Sequence, residues 1–569
     1  MYISKITLNG FRNFKKATIN LAKKSLIIGS NDIGKSNLLY ALRILLDKTL
    51  SEADIEPSDS DFYVFEDTNE LEIAILFKDV NVDCVLAKMR EHVGDNAQMV
   101  LVYRAIRNEE TRKASFNLYA GKDMENLTEI DSRYYLRVLN LKFIGSRRDL
   151  FSYIRRERKS LVQDAKTNRS AKEVKNDGIA LENIETSLGD VNNHVRNLSY
   201  VSKATETLND ELELLSFRNM GRKVVFDTGA SDPSMFVENL RLASNIEGKT
   251  IAIGGDGRNN QIHLALWSAR NSNYSESADE PLEVNVFCIE EPEAHLHPHQ
   301  QRKLAEYLSE TLKDQVILTT HSPQITSEFE PVSIIRLFDN QPDTLAAGNG
   351  INPFTESAFI QFGHRLNIIA AEAFYSDVVL LVEGPSEELF YKALAYQIDI
   401  DLDRLNISIL PVDGIGFKPY ISLLASLNID WVVRTDNDVF KIPKKDEHRF
   451  SGIKRGISLY RDYYENNDVL EKLLDDKEDR LSGFVLPVPE ENLVVAKEFI
   501  NVLEEFDIFL ANKDLENDLL DALGDVLRKY LRKSEDEVTI KEMQKRKATF
   551  MFNFLTENLE TLVDLAEDQ

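Results

Sequence analysis

The sequence predicts an α/β protein in two parts: a nucleotide-binding head interrupted by a helical insertion, then a second α/β region whose strand ends carry acids. Three observations predict it. A phosphate-binding loop lies between an apolar strand and an amphipathic helix near the start. A polar, helix-patterned stretch separates two groups of strand-like runs. From about residue 375 onward, three apolar runs each end in carboxylates.

The loop is "IIGSNDIGKSNLLYALRILLDK", Ile27 to Lys48. Gly29 to Ser36 fits G-x-x-x-x-G-K-[ST], in which backbone N–H groups wrap the phosphates of a nucleoside triphosphate. Gly29 and Gly34 let the backbone approach closely, and Asn31 and Asn37 are further nucleotide-contacting candidates. Lys35 would reach the β/γ-phosphates and the Ser36 hydroxyl would ligate Mg²⁺, with the positive end of the following helix aimed at the anion. Leu26, Ile27 and Ile28 precede the loop as a strand. Leu38, Leu42 and Leu45 follow it at helical spacing.

At 569 residues the chain has room for two to four domains. Cys84 and Cys288 are its only cysteines, which excludes a disulfide framework and a multi-cysteine zinc site. No apolar run approaches the roughly 20 residues that span a bilayer, and the start "MYISKITLNGFRNF" lacks a signal peptide's apolar stretch, so a cytoplasmic protein without membrane partners is expected. The net charge of −27 runs against a polyanionic partner. Basic residues are nevertheless clustered, at Arg147, Arg148, Arg155, Arg156, Arg158 and Lys159 and again at Lys541, Lys545, Arg546 and Lys547.

The expected division is a head over 1–150 and 218–345, a helical insertion over 151–217 that could serve as an arm or dimer interface, a linker over 346–374 and the second α/β region over 375–569. Strand-like runs return after the insertion at "RKVVFD" and "GKTIAIGG". In "EVNVFCIEEPEAHLHPHQ" the strand Val284 to Ile289 ends in Glu290 and Glu291, at the strand edge where open α/β sheets bind ligands. Glu290 can hold Mg²⁺ through water and Glu291 can orient an attacking water. "DQVILTTHSPQ" is a further apolar strand, ending in His321, which is suited to sensing a γ-phosphate. His295, His297 and His299 invite a metal reading, but no cysteine joins them, and a loop touching an opposing subunit explains them better.

In "DVVLLVEGPSEELFYKAL" the strand Val378 to Val382 ends at Glu383, and Glu387 follows one helical turn later. "NIDWVVRTDNDVF" repeats the layout with strand Ile429 to Val433 and then Asp436 and Asp438, which point to one side if extended. "FDIFLANKDLENDLLDALG" does so again with Ile508 to Leu510, Asp514 and Glu516. In a largely parallel sheet these ends share one edge. Hard oxygen ligands without histidine or cysteine suit Mg²⁺ or Mn²⁺.

"ITLNGFRNF", "GSNDIGKSN", "IEEPEAHLHP" and "TTHSP" resemble the opening strands, Walker A, Walker B with D-loop, and H-loop of the ATP-binding-cassette (ABC) heads of the SMC, Rad50 and RecF group. At the signature position stands "GGDGRNNQ", Gly254 to Gln261, without the usual leading serine. "VEGPSEE" and "TDND" resemble the two defining motifs of the Toprim domain, matched at Glu383, Asp436 and Asp438. A head followed by Toprim resembles the OLD (overcoming lysogenization defect) nuclease family. Within it, "NDIGKSNLLYALRILLDK", "LLVEGPSEE", "TDND" and "DLENDL" resemble the nuclease subunits of Gabija anti-phage systems.

The resemblance implies a metal-dependent endonuclease acting on double-stranded DNA, with ATP bound and sensed by the head and at least a dimer as the assembly. A helicase-like partner is implied by the Gabija branch alone. In that reading Glu383 is ligand and base, and Asp436, Asp438, Asp514 and Glu516 are ligands. A C-terminal lysine, Lys545 or Lys547, offsets charge on the scissile phosphate. The alternative is a DNA-repair or structural ATPase of RecF or Rad50 type without nuclease activity. A topoisomerase is disfavoured, because no region has room for a strand-passing domain with a nucleophilic tyrosine.

Overall fold

In a computed structural model, the structure describes residues 1–145 apart from 110, 158–215 apart from 160, 164 and 168, 283–347 apart from 295, and 368–567 apart from 415 and 466. Between 216 and 282 it describes 223–226, 242–246, 249–252 and the single positions 233, 237 and 262. The chain forms two units, one of Met1–Ser146, Leu282–Glu293 and Pro298–Gln569, the other of Arg147–Pro281 and Ala294–His297. Residues 218–281 therefore group with the insertion.

The head of the first unit begins with β1 (Tyr2–Phe11), β2 (Phe14–Asn20), β3 (Lys24–Ile28), β4 (Glu70–Lys78), β5 (Met99–Arg107), β6 (Ala114–Gly121), β7 (Leu127–Ile130) and β8 (Leu139–Ile144). An antiparallel sheet takes the order β2-β1-β4-β5-β6-β7. Along β1, Ile6 and Leu8 fall on the buried face of the period-2 alternation. They share one core with Leu38, Leu42 and Leu45 of the helix Lys35–Leu46, whose spacing puts those leucines on a single stripe.

The second unit holds the helices Ala171–Arg196 and Ser199–Leu215 and the antiparallel pair β9 (Ala243–Ile246) and β10 (Lys249–Ala252). Ser170 and Glu173 start the longer helix with reciprocal side-chain-to-backbone hydrogen bonds. The strand expected at "RKVVFD" does not form over Lys223–Phe226. There the backbone N–H of Val224 donates to Asn209 Oδ1 and its carbonyl accepts from Asn209 Nδ2, both at 2.8 Å, so a side-chain amide replaces a strand partner. The expected "GGDGRNNQ" site, His295, and Arg147, Arg148, Arg155 and Arg156 lie outside the described residues.

The head's second sheet adds β11 (Val284–Glu290), β12 (Gln315–Thr319), β13 (Ile334–Asn340) and β14 (Asp343–Ala347), in the order β14-β13-β3-β12-β11-β8. All neighbours are parallel except β14. The ends of β3, β11 and β12 therefore share one edge, where the phosphate loop, Glu290 and His321 follow them.

The remaining part of the first unit begins with the helix Ile368–Ala373, at the end of the expected linker. Its strands are β15 (Val378–Val382), β16 (Ile407–Pro411), β17 (Asp430–Thr435), β18 (Val439–Lys441), β19 (His448–Phe450), β20 (Ser482–Phe484) and β21 (Ile508–Leu510). β16-β15-β17-β21 form an all-parallel sheet, and β18-β19-β20 form a small antiparallel one. The helices Pro385–Gln397, Leu515–Leu531 and Lys547–Asn558 close a core through Phe390, Leu519, Leu523, Met551 and Phe554. Arg336 of β13 ties the two parts together. It donates to Asn428 O at 2.6 Å, Ser376 O at 3.1 Å and Asp377 Oδ1 at 3.1 Å, at the starts of β15 and β17.

Candidate active site

At the head, Lys35 folds back over its loop and donates to Gly29 O at 2.9 Å and Ser30 O at 2.7 Å. Burial lowers its pKa from the ordinary lysine value, opposed by Glu291, Asp32 and Glu290. Ser36 Oγ donates to Glu290, so the two residues expected at one metal meet. Gly34, at φ 102°, is required where it stands, because a Cβ there would lie 2.2 Å from Asn13 Nδ2. Asn13 Nδ2 donates to Ile33 O at 3.0 Å and its Oδ1 accepts from Asn37 Nδ2 at 2.7 Å, locking the loop to the turn between β1 and β2.

Across the edge, His321 Nε2 lies 3.6 Å from Glu291 Oε1. Burial and then Lys35 lower the His321 pKa, which favours the neutral imidazole. Glu293, not singled out by its motif, accepts from Thr320 Oγ1 at 2.8 Å and His321 N at 2.7 Å. It thereby fixes the segment that carries His321. Asn31 is exposed on the loop.

In the second part, parallel pairing of β15 with β17 brings their ends level. Glu383 Oε1 accepts from Thr435 Oγ1 at 2.5 Å, from Asp436 N at 3.0 Å and from Arg455. Burial alone would raise its pKa, but these donors hold it below the ordinary glutamate value. Carboxylate oxygens of Glu383, Asp436 and Asp438 lie within 4.8 Å of one another. Asp436 is buried, and burial together with Glu383 pushes its pKa up to about 7 against the pull of Lys547. Burial and then Glu383 raise Asp438 as well. An all-carboxylate set that is electrostatically strained when empty of cations fits a hard divalent ion.

Glu387 Oε2 accepts from Gly384 N at 3.0 Å, and burial raises its pKa. Lys547 Nζ reaches Glu516 Oε2 at 2.9 Å and Asp436 Oδ2 at 3.6 Å, and these acids hold its pKa above the ordinary lysine value although burial opposes them. Lys545 pairs with Glu542 at 2.7 Å, so of the two candidate lysines the structure brings Lys547 to the acids. Asp514 is held differently. Its Oδ1 accepts from Asn517 N at 2.8 Å as the cap of the helix Leu515–Leu531, and its Oδ2 accepts from Gln544 Nε2 at 2.7 Å.

Residues 1–326 match the AAA ATPase domain family, more than half of the chain. The chain belongs to that AAA ATPase family. Residues 374–438 match the TOPRIM domain of overcoming lysogenization defect-like proteins, and they include Glu383, Asp436 and Asp438. The AAA ATPase chain is similar to Endonuclease GajA of Bacillus cereus (strain VD045), 26% identical over 99% of this chain and 96% of that protein. It is also similar to the OLD nuclease of Thermus scotoductus, 24% identical over 78% of this chain and 83% of that one. The Old nuclease of Escherichia phage P2 is 23% identical over 73% of each. The architecture is an AAA ATPase domain followed by an α/β part whose first strands match the TOPRIM domain of overcoming lysogenization defect-like proteins.

Arg455 is the functional candidate in this AAA ATPase chain that no motif marks. Only the close approach of the helix Ser451–Tyr463 brings it to Glu383, and that approach needs Gly452, where a Cβ would lie 2.2 Å from Asp436 O.

Proposed function

We propose that this chain is a divalent-metal-dependent endonuclease acting on double-stranded DNA, with an ATPase head that binds and senses nucleotide, and that it serves anti-phage defence. The observation that carries the reading is the convergence of Glu383, Asp436 and Asp438 at one sheet edge with Lys547 beside them. The names of the relatives support it. Glu383, Asp436 and Asp438 would hold a cation, Mg²⁺ or Mn²⁺, with Glu387 and Glu516 as further ligands. Bound cations there supply an activated water and stabilisation of the leaving oxygen in phosphodiester cleavage.

The chain's own residues supply positioning. Thr435 Oγ1 and Asp436 N orient Glu383 before any ligand arrives, so little reorganisation is left for the reaction. Lys547 offsets negative charge on a phosphate entering beside Asp436. Asp514, by capping the helix Leu515–Leu531, orients Glu516 two residues along. At the head, Lys35 and the loop N–H groups would hold a triphosphate, Ser36 and Glu290, which already meet, would hold its Mg²⁺, and Glu291 with His321 beside it would serve the γ-phosphate. The insertion is proposed as the subunit interface of at least a dimer, and a helicase-like protein as partner in the cytoplasm. Among the described residues no helix is long and apolar enough to cross a membrane.

The test incubates plasmid and phage genomic DNA with wild type and Glu383→Gln, in Mg²⁺ or Mn²⁺, with and without ATP. Cleavage by wild type and none by Glu383→Gln is expected. Wild-type protein that binds ATP but leaves both DNAs intact in every condition refutes the nuclease reading and favours a RecF-type ATPase.

A further inference from the structure

Arg455 makes contacts that the roles above leave unexplained. Its Nη1 donates to both Glu383 Oε1 and Thr435 Oγ1, and its guanidinium lies 5.8 Å from the centre of the Phe417 ring. The side chain remains 31% exposed. Glu383 Oε1 therefore faces three donors, Thr435 Oγ1, Asp436 N and Arg455 Nη1, although one carboxylate oxygen offers about two lone pairs. Two of those donors are built into β17 and the turn after it, and Thr435 is buried. The guanidinium, on a long and partly exposed stem, is the donor that can leave.

Glu383 also belongs to the three carboxylates that converge within 4.8 Å. A cation entering among them competes with Arg455 for the same carboxylate, since two positive charges on one oxygen repel. A guanidinium displaced there keeps its charge, because Arg does not deprotonate in proteins, and its planar fork matches two phosphate oxygens. Phe417 limits its travel by offering the cation an aromatic face. Lys547 is engaged with Glu516 and Asp436, which leaves the Glu383 side of the site to Arg455.

We propose that Arg455 is a further catalytic residue: it holds Glu383 in the metal-free site and moves onto the scissile phosphate when a divalent cation takes that carboxylate. This rests on the nuclease reading of the site. It differs from a bracing role in one respect, because a competitor for the metal and a brace of its ligand shift metal affinity in opposite directions.

The experiment measures Mn²⁺ binding to DNA-free full-length wild type, Arg455→Gln and Arg455→Lys by calorimetry, together with DNA cleavage at saturating Mn²⁺ and the metal-free melting temperature. Arg455→Gln should bind Mn²⁺ several-fold more tightly than wild type, because the competing cation is gone, and should lose about 100-fold or more in kcat. Arg455→Lys keeps the charge on a slightly shorter, unforked stem, so it should bind Mn²⁺ much as wild type does and recover only part of the cleavage. Weaker Mn²⁺ binding in Arg455→Gln overturns the proposal whatever happens to cleavage, and so does undiminished cleavage. If Arg455→Gln melts early, Arg455→Lys decides alone: wild-type cleavage by it removes any need for a forked phosphate ligand. Wild-type protein that binds Mn²⁺ and cuts no DNA sinks the nuclease reading instead.

Discussion

Replacing Asp436 by Asn should stabilise the metal-free protein at alkaline pH and leave it unchanged in acid. Burial and Glu383 raise the Asp436 pKa from 3.8 to about 7 in the folded state. The folded chain therefore holds a proton that the unfolded chain releases between those values, and stability falls as pH rises through that window. The penalty is absent below about pH 4 and complete above about pH 7. At about 1.4 kcal/mol per pKa unit it amounts to roughly 4 kcal/mol in full, and relaxation of the site brings it to about 2–4 kcal/mol. Asn cannot ionise, so Asp436→Asn escapes the penalty. Mg²⁺ or Mn²⁺ should reverse the order, because a ligand that binds only the folded state stabilises wild type by mass action and the variant has lost a donor. The assay is urea denaturation of both proteins at pH 4, 6 and 8, with and without metal. A variant less stable than wild type at pH 8 without metal, or a difference that does not change with pH, would refute the electrostatic account of this site.

Lys35→Ala should abolish labelled ATP binding, since it removes the cation folded over the phosphate-binding loop, while Mn²⁺ binding at the Toprim half stays at the wild-type level in calorimetry. Lys547→Ala should cut nuclease rate by about 100-fold or more, whereas Lys545→Ala should leave it within about twofold, because Lys545 faces Glu542 rather than the acids. Asp514→Ala should lower stability by about 1–2 kcal/mol with or without metal through loss of the helix cap, so its melting temperature drops in both conditions, unlike that of Asp436→Asn. Sedimentation at micromolar concentration should find at least a dimer, and a chain that stays monomeric with and without ATP refutes the interface role of the insertion.

What was legible in the sequence depended on how each contact is encoded. A parallel sheet converts sequence position into spatial position: once Val378–Val382 and the run ending at Thr435 are strands that pair in parallel, Glu383 and Asp436 must lie at one edge, and both could be read from pattern alone. The phosphate loop was legible for a similar reason, since strand, loop and helix are contiguous and Ser36 needed only β11 alongside to meet Glu290. Strand periodicity is weaker evidence where the chain is exposed. "RKVVFD" has strand composition, yet Asn209 satisfies the Val224 backbone and no ladder forms over Lys223–Phe226. Asp514 shows a different limit, because an acid after a short strand and before a helix reads equally as a ligand and as a cap, and here its oxygens accept from Asn517 N and Gln544 Nε2.

Helices hide the most. Lys545 caps the end of the helix Asp536–Gln544 and Lys547 opens the helix Lys547–Asn558, with the backbone leaving the helical conformation at Arg546 between them, so no spacing separates the two, and the side facing Asp436 and Glu516 depends on how Lys547–Asn558 packs against Pro385–Gln397. Arg455 lies 72 residues from Glu383, on a helix whose close seat requires one glycine, Gly452, against the carbonyl of Asp436. Neither contact leaves a spacing in the chain, because each is set by the tertiary packing of a helix face. It follows that the carboxylates, which the sheet positions, can be found from sequence in chains of this type. The cations beside those carboxylates, Lys547 and Arg455, come from helices packed around the sheet, and they have to be found in the structure.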